Sequence, residues 1–171
     1  MKTMNKLGVA LLAGSLLAVG GNSVMAANLT VQASITQNCT VTAGTLDFGS
    51  YDPTTQVGNK DFTGSIGLKC TNGASNVAVG LDAGQGTGAT DSTRTMTDGS
   101  GDSLQYSLFQ DSGRTTNWGN SQGSSALSVD SAYPTFLDGT SHSITVYGRI
   151  PIQATAKVGS YNDTVLITAY F

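Results

Sequence analysis

Apolar and polar side chains alternate strictly over residues 29–35, with Leu29, Val31, Ala33 and Ile35 on one face and Thr30, Gln32 and Ser34 on the other. A spacing of two is how a half-buried β-strand reads. The same period recurs at Ile66, Leu68 and Cys70, at Val77, Val79 and Leu81, at Leu104, Tyr106 and Leu108, and at Ile144 and Val146. It recurs last in "GSYNDTVLITAYF", where Tyr161, Val165, Ile167, Ala169 and Phe171 share a face. Between these runs lie turn-rich stretches such as "DAGQGTGATDST" and "TDGSGD". Short strands separated by Gly, Asp, Asn and Ser predict a β-sandwich. No 3.6-residue stripe is sustained after the N-terminal segment. Residues 114–131 are expected to form long loops with a short strand near Leu127 and Val129.

The first residues follow a different pattern. Lys2 and Lys6 precede an apolar run, "LGVALLAGSLLAVG", and "VMA" before Ala27 supplies small residues for cleavage. This predicts an export signal over residues 1–26, its core too short to span a bilayer comfortably. Residues 27–171 then make one domain of ordinary size. All eleven acidic residues are Asp, there is no Glu, and two of the eight Lys and Arg fall within the signal segment. Strong helix formers are scarce and nothing attracts a phosphate backbone, which favours an all-β domain and makes nucleic acid a poor partner. Cys39 and Cys70 are the only cysteines, and in an oxidising compartment such a pair is expected to bridge.

Few residues invite a chemical reading. "GNSQG" at 119–123 fits G-x-S-x-G, and Ser121, Asp138 and His142 follow in the chain order of an α/β-hydrolase triad. That motif needs a strand before the serine and a helix after it, and "SSALSVDS" predicts no helix, so a Gly/Ser loop is the expected reading. His142 stands alone as a histidine and is expected to be a packed or partly exposed strand residue. Asp98 and Asp102 lack the ligand series of a calcium loop and read as turn formers. "GQGTG" at 84–88 has no following helix to receive a phosphate, and Asn28, Asn38 and Asn162 begin N-x-[ST] triplets that such a composition produces by chance. Trp118, the only tryptophan, is expected to pin its loop to the sandwich rather than to stack on a sugar.

Four ordered motifs, "LDFGSYDP" at 46–53, "LQYSLFQDSGRTTNWGN" at 104–120, "YGRIP" at 147–151 and "GSYNDTVLITAYF" at 159–171, resemble the spore coat protein U domain family, which includes the Csu-type pilins of archaic chaperone-usher systems. The resemblance spans nearly all of residues 27–171, with Cys39 and Cys70 in the expected places. It implies an all-β, incomplete immunoglobulin-like sandwich completed by donor-strand complementation. A periplasmic chaperone first lends a strand, and the N-terminal segment of a neighbouring pilin subunit replaces it in a fibre assembled at an outer-membrane usher. Under this resemblance residues 27–36 are the donor strand, with Leu29, Val31, Ala33 and Ile35 entering successive pockets, and residues 37–171 are the pilin domain. Val165, Ile167, Ala169 and Phe171 form the strand that meets the chaperone or the donor. The expected product is a rod or adaptor subunit of a surface pilus serving attachment and biofilm formation, with no enzymatic activity, cofactor or metal. A secreted or coat-associated carbohydrate-binding sandwich is the alternative.

Overall fold

The computed structural model describes residues 25–171. Apart from Met25 and Ala26, the predicted export signal lies outside them. The chain divides into two units, residues 1–34 and 35–171. In the first, residues 25–34 are exposed and carry no strand. The alternation at 29–35 therefore does not make a strand by itself, because a ladder needs a second chain segment to exchange hydrogen bonds with.

The second unit is a two-sheet antiparallel sandwich. Its larger sheet has the order β1-β2-β7-β5-β4, built from Cys39–Thr42 (β1), Lys60–Cys70 (β2), Ser141–Ile150 (β7), Ser103–Phe109 (β5) and Arg94–Thr97 (β4). The smaller sheet has the order β6-β3-β8, from Leu127–Ser128 (β6), Ala78–Leu81 (β3) and Ile167–Tyr170 (β8). Helical structure among the described residues is confined to α1 (Val129–Ala132) and a single 3₁₀ turn at Pro134–Phe136. Each alternating run within this unit lies on a strand or beside one, and β6 stands where the loop-rich stretch 114–131 was expected to hold a short strand.

Burial follows the predicted faces. Ile66, Leu68 and Cys70 on β2, Leu104, Tyr106 and Leu108 on β5, and Ile144 and Val146 on β7 point into the core. Val77, Val79 and Leu81 oppose them from the smaller sheet, where Ala78 on the other face is buried as well. Cys39 and Cys70 are bonded and face each other across the β1–β2 ladder. After β1 the chain crosses the inner face of the larger sheet. Gly64 and Gly148 make room for it, since a Cβ at Gly148 would lie 2.8 Å from Leu46 and from Phe48, and one at Gly64 would lie 2.7 Å from the Thr45 carbonyl oxygen. Phe48 then meets Tyr106 edge to face.

Among the described residues one charged side chain lies wholly inside. Arg94 on β4 is fully buried, and its guanidinium donates to the carbonyl oxygens of Asp82, Asp91, Leu81 and Trp118 at 2.6 to 2.8 Å. Burial lowers its pKa from the ordinary arginine value, an effect opposed by Tyr106 and the carboxylates of Asp91, Asp82 and Asp163. The planar fork can serve several carbonyls at once, which makes Arg94 the tie between the end of β3, the loop before β4 and the Trp118 segment.

The closing strand is shorter than its sequence face. Tyr161 and Val165 precede β8, and Asn162 exchanges two main-chain hydrogen bonds with Thr97 of β4. The last segment thus leaves the edge of one sheet at Asn162 and joins the other at Ile167. Phe171 lies beyond β8 and is half exposed.

Candidate strand-accepting cleft

The sandwich is open on one side. A cleft of about 1230 Å³ runs between the sheets, floored by core residues including Ile66, Tyr106, Leu108 and Val146. Residues 44–54 form one wall and residues 156–163 contribute to the other, with Val165 and Ile167 along it. Its floor belongs to the same apolar cluster that holds the fold together. Val165 and Ile167 along its wall are only partly buried, so their covering by a further segment is favourable.

The geometry of β8 makes its open edge usable. β8 pairs only with β3, in the register Ala78↔Tyr170, Val79↔Ala169, Gly80↔Thr168 and Leu81↔Ile167. Just ahead of it, the Asp82 N–H donates to the Leu166 carbonyl oxygen at 3.1 Å, and the Leu166 N–H donates to Asp82 Oδ1 at 2.8 Å. Residue 166 thus turns its main-chain groups toward β3. By the alternation of an antiparallel ladder, Thr168 and Tyr170 do the same, while those of Ile167 and Ala169 point the opposite way, to the unpaired edge. Two consequences coincide: Val165 and Ile167 place their side chains in the cleft, and Ile167 there turns its N–H and C=O groups to the edge away from β3. An edge of this kind invites another strand.

Hydrogen bonds fix the approach to β8. Asp163 accepts from the Tyr106 hydroxyl, the Gln85 N–H and the Thr164 N–H, each at 2.7 Å. Burial first, and the bond to Asp163 second, raise the pKa of Tyr106 and keep its phenol protonated.

The four predicted groove residues occupy distinct places. Val165 and Ile167 line the cleft, Ala169 packs against the core, and Phe171 is half exposed. Leu29, Val31, Ala33 and Ile35 are exposed and outside any strand.

Other sequence candidates have structural explanations. Ser121 sits in a turn, its N–H bonded to Ser125 Oγ and its carbonyl oxygen accepting from residues 124–126. Asp138 and His142 pair at 2.9 Å at the start of β7, where the imidazole stacks on Phe136 with ring centroids 4.2 Å apart. Asp98 Oδ1 accepts the N–H groups of Ser100 and Asp102, and Asp102 pairs with Lys157 at 2.7 Å. Among the described residues no group of three His, Cys, Asp or Glu could hold a metal ion. Trp118 is fully buried and its indole N–H donates to Val79, as packing predicts, so the ring has no exposed face for a sugar. Arg94 and Asp163 carry no signal in the alternation, because their roles are fixed by polar partners that include groups distant in sequence, Leu81 and Trp118 for Arg94 and Gln85 and Tyr106 for Asp163.

Comparison with known proteins agrees with this architecture. The chain is 32% identical over 157 residues to "Protein U" of Myxococcus xanthus, covering 85% of this chain and 84% of that protein. Its fold is similar to that of a chain in the crystal structure of the CsuC-CsuE chaperone-tip adhesion subunit pre-assembly complex from the archaic chaperone-usher Csu pili of Acinetobacter baumannii. That likeness has a TM-score of 0.52 and 20% identity; it covers 81% of this chain, which spans only 41% of the solved one. The model of the Spore Coat Protein U domain matches residues 25–168, and this chain belongs to the spore coat protein U domain family.

Proposed function

We propose that this protein is a structural, non-catalytic subunit of a surface pilus assembled by a chaperone-usher pathway, exported through the periplasm and supporting attachment and biofilm formation. The observation that carries this reading is the meeting of a cleft with an apolar floor and the unpaired edge of β8. The cleft first takes a strand from a periplasmic chaperone. At the outer-membrane usher it then takes residues 27–36 of a neighbouring subunit, whose Leu29, Val31, Ala33 and Ile35 enter between the sheets while their main chain pairs with β8.

Magnitudes support a durable joint. The four side chains span about 20 Å in extended conformation. Burial of Leu, Val and Ile contributes about 1.5 to 3 kcal/mol each, before the costs of ordering are subtracted. The N-terminal segment suits this use, since residues 27–38 carry no charged side chain and Leu29, Val31 and Ile35 are exposed in the single chain.

The test is co-expression with a tagged chaperone and an usher. The expected result is a periplasmic chaperone–subunit complex and, with the usher, heat-resistant polymers on gels that strengthen adhesion of the producing cells to a surface. A subunit that stays monomeric beside both partners would overturn the proposal.

A further inference from the structure

We infer that Asp163 is a positioning residue of the accepting edge, fixing residues 162–166 so that the cleft wall is formed before a strand arrives. The inference rests on the strand-accepting role proposed above. An edge strand with a partner on one side only has little to hold its leading residues in line. Here the ladder with β3 begins at Ile167, and the residues before it are held by other means.

The socket for Asp163 is specific. Its Oδ2 accepts the Tyr106 hydroxyl, and its Oδ1 accepts the N–H groups of Gln85 and Thr164. An ionised carboxylate only accepts, so three converging donors suit it better than an amide, which would turn a donor toward one of them. Gly84 shapes the receiving turn. Its φ is +78°, in the left-handed region, and a Cβ there would fall on the Asp163 carboxylate. Asp82 completes the turn by accepting from both Gly84 and Leu166. The glycine-rich loop that begins "GQGTG" thus serves a carboxylate of the protein itself.

Tyr106 gives this socket its link to the cleft. Its ring is part of the floor, buried and in contact with Phe48, while its hydroxyl reaches the segment that becomes the wall. The Tyr106–Asp163 bond therefore ties floor to wall at one corner. Asn162 is bonded to Thr97 of β4 and Leu166 to Asp82, so the segment is held both before and after Asp163. A wall held in this way spares the incoming strand the ordering of its partner, which speeds docking. While a chaperone strand is exchanged for a donor the edge of β8 is transiently unpaired and the bond holds it in line; once the donor is seated, β8 is paired on both sides and the bond adds little to holding it.

This division between rate and product is testable. The purified complex of the mature chain with its chaperone is mixed with a synthetic peptide of residues 27–37, and incorporation is followed by gel shift over time. Tyr106→Phe, which keeps the ring, and Asp163→Ala are each expected to slow incorporation at least tenfold, while the Tyr106→Phe product melts within a few degrees of wild type. Incorporation at the wild-type rate in both variants would overturn the inference and leave the strand-accepting role intact. So would a Tyr106→Phe product that loses stability in step with its rate, or failure of that variant to form the chaperone complex, since either marks the network as simply structural. If Asp163→Ala alone fails to fold, Tyr106→Phe decides. A wild-type complex that takes up no peptide would reject the strand-accepting role and this inference with it.

Discussion

Trp118 donates its indole N–H to the carbonyl oxygen of Val79 at 2.8 Å, both residues fully buried. The bond ties the loop after β5 to the central strand of the smaller sheet. The same residue's main chain donates to Leu108 at 2.9 Å and accepts from Arg94 at 2.6 Å, so one side chain and its backbone join three elements. Trp118→Phe keeps an aromatic ring but removes the indole hydrogen bond to Val79 and opens a void. A loss of about 2 to 4 kcal/mol is expected. A urea midpoint equal to that of the wild type would show that the site relaxes freely.

The disulfide joins β1 to β2 across 31 residues of sequence. In the chain-entropy account, closing such a loop contributes about 3 to 4 kcal/mol by restricting the unfolded chain. Cys70→Ser should therefore unfold at lower denaturant and yield less periplasmic subunit. Because Cys39 and Cys70 are both buried, the serine hydroxyl adds its own cost, and Cys39→Ala with Cys70→Ala separates the two contributions. Labelling of both thiols in non-reduced wild-type protein would refute the bond.

The sandwich was largely legible where one face of a strand is buried. Ile66, Leu68 and Cys70, or Leu104, Tyr106 and Leu108, declare their strands because every second residue leaves water. β4 was not legible, since Arg94 and Thr95 are its buried residues and their partners are carbonyl groups and loop atoms. β1 was hidden in a stretch that alternates no more clearly than its surroundings. The reverse failure is as instructive. Residues 29–35 alternate as strictly as any strand in the molecule, yet form none, because alternation specifies a face and pairing requires a neighbour. The closing segment was half legible: Val165, Ile167 and Ala169 face inward as their spacing predicts, whereas the crossing between sheets at Asn162 depends on Thr97 and has no local signature.

Acid should weaken the fold over a defined range. The Asp138 carboxyl is held well below the usual carboxylate range by its hydrogen bond to His142 and then by Thr140. Asp52 is lowered from 3.8 to about 2, chiefly by the Thr54 hydroxyl, then by the Thr54 N–H and Thr55. Asp111 is lowered by the Thr116 N–H first, and Asp61 by its bonds to Arg149 first. Each folded value lies below the unfolded one. Their stabilisation is therefore complete above the unfolded value of 3.8 and disappears as pH falls through the folded values. Thermal midpoints should be level from about pH 6 to 5 as far as these carboxylates govern them, then decline steeply between about pH 4 and 2. In Asp52→Asn that decline should be shallower; an unchanged slope would remove Asp52 from the account.

The N-terminal segment offers the sharpest separation between a polymerising subunit and a self-contained sandwich. If residues 29–35 serve a neighbour, deleting residues 27–35 removes nothing from the body that begins at β1, and the shortened protein should still be recovered on a tagged chaperone. It should fail only at polymerisation. Val31→Asp and Ile35→Asp should behave similarly, because a carboxylate forced against the apolar floor of the cleft costs several kcal/mol unless it is paired or protonated. Val31 and Ile35 are both exposed in the single chain, so neither substitution should lower the stability of the subunit itself. If the segment instead belonged to its own sheet, its deletion would expose core and the product would aggregate or be degraded with or without chaperone. A chaperone pull-down run beside a gel for heat-resistant polymers distinguishes the two. An intact chaperone complex without polymers is the expected outcome, and loss of the complex itself would reject the assignment of residues 27–36 as the donor strand.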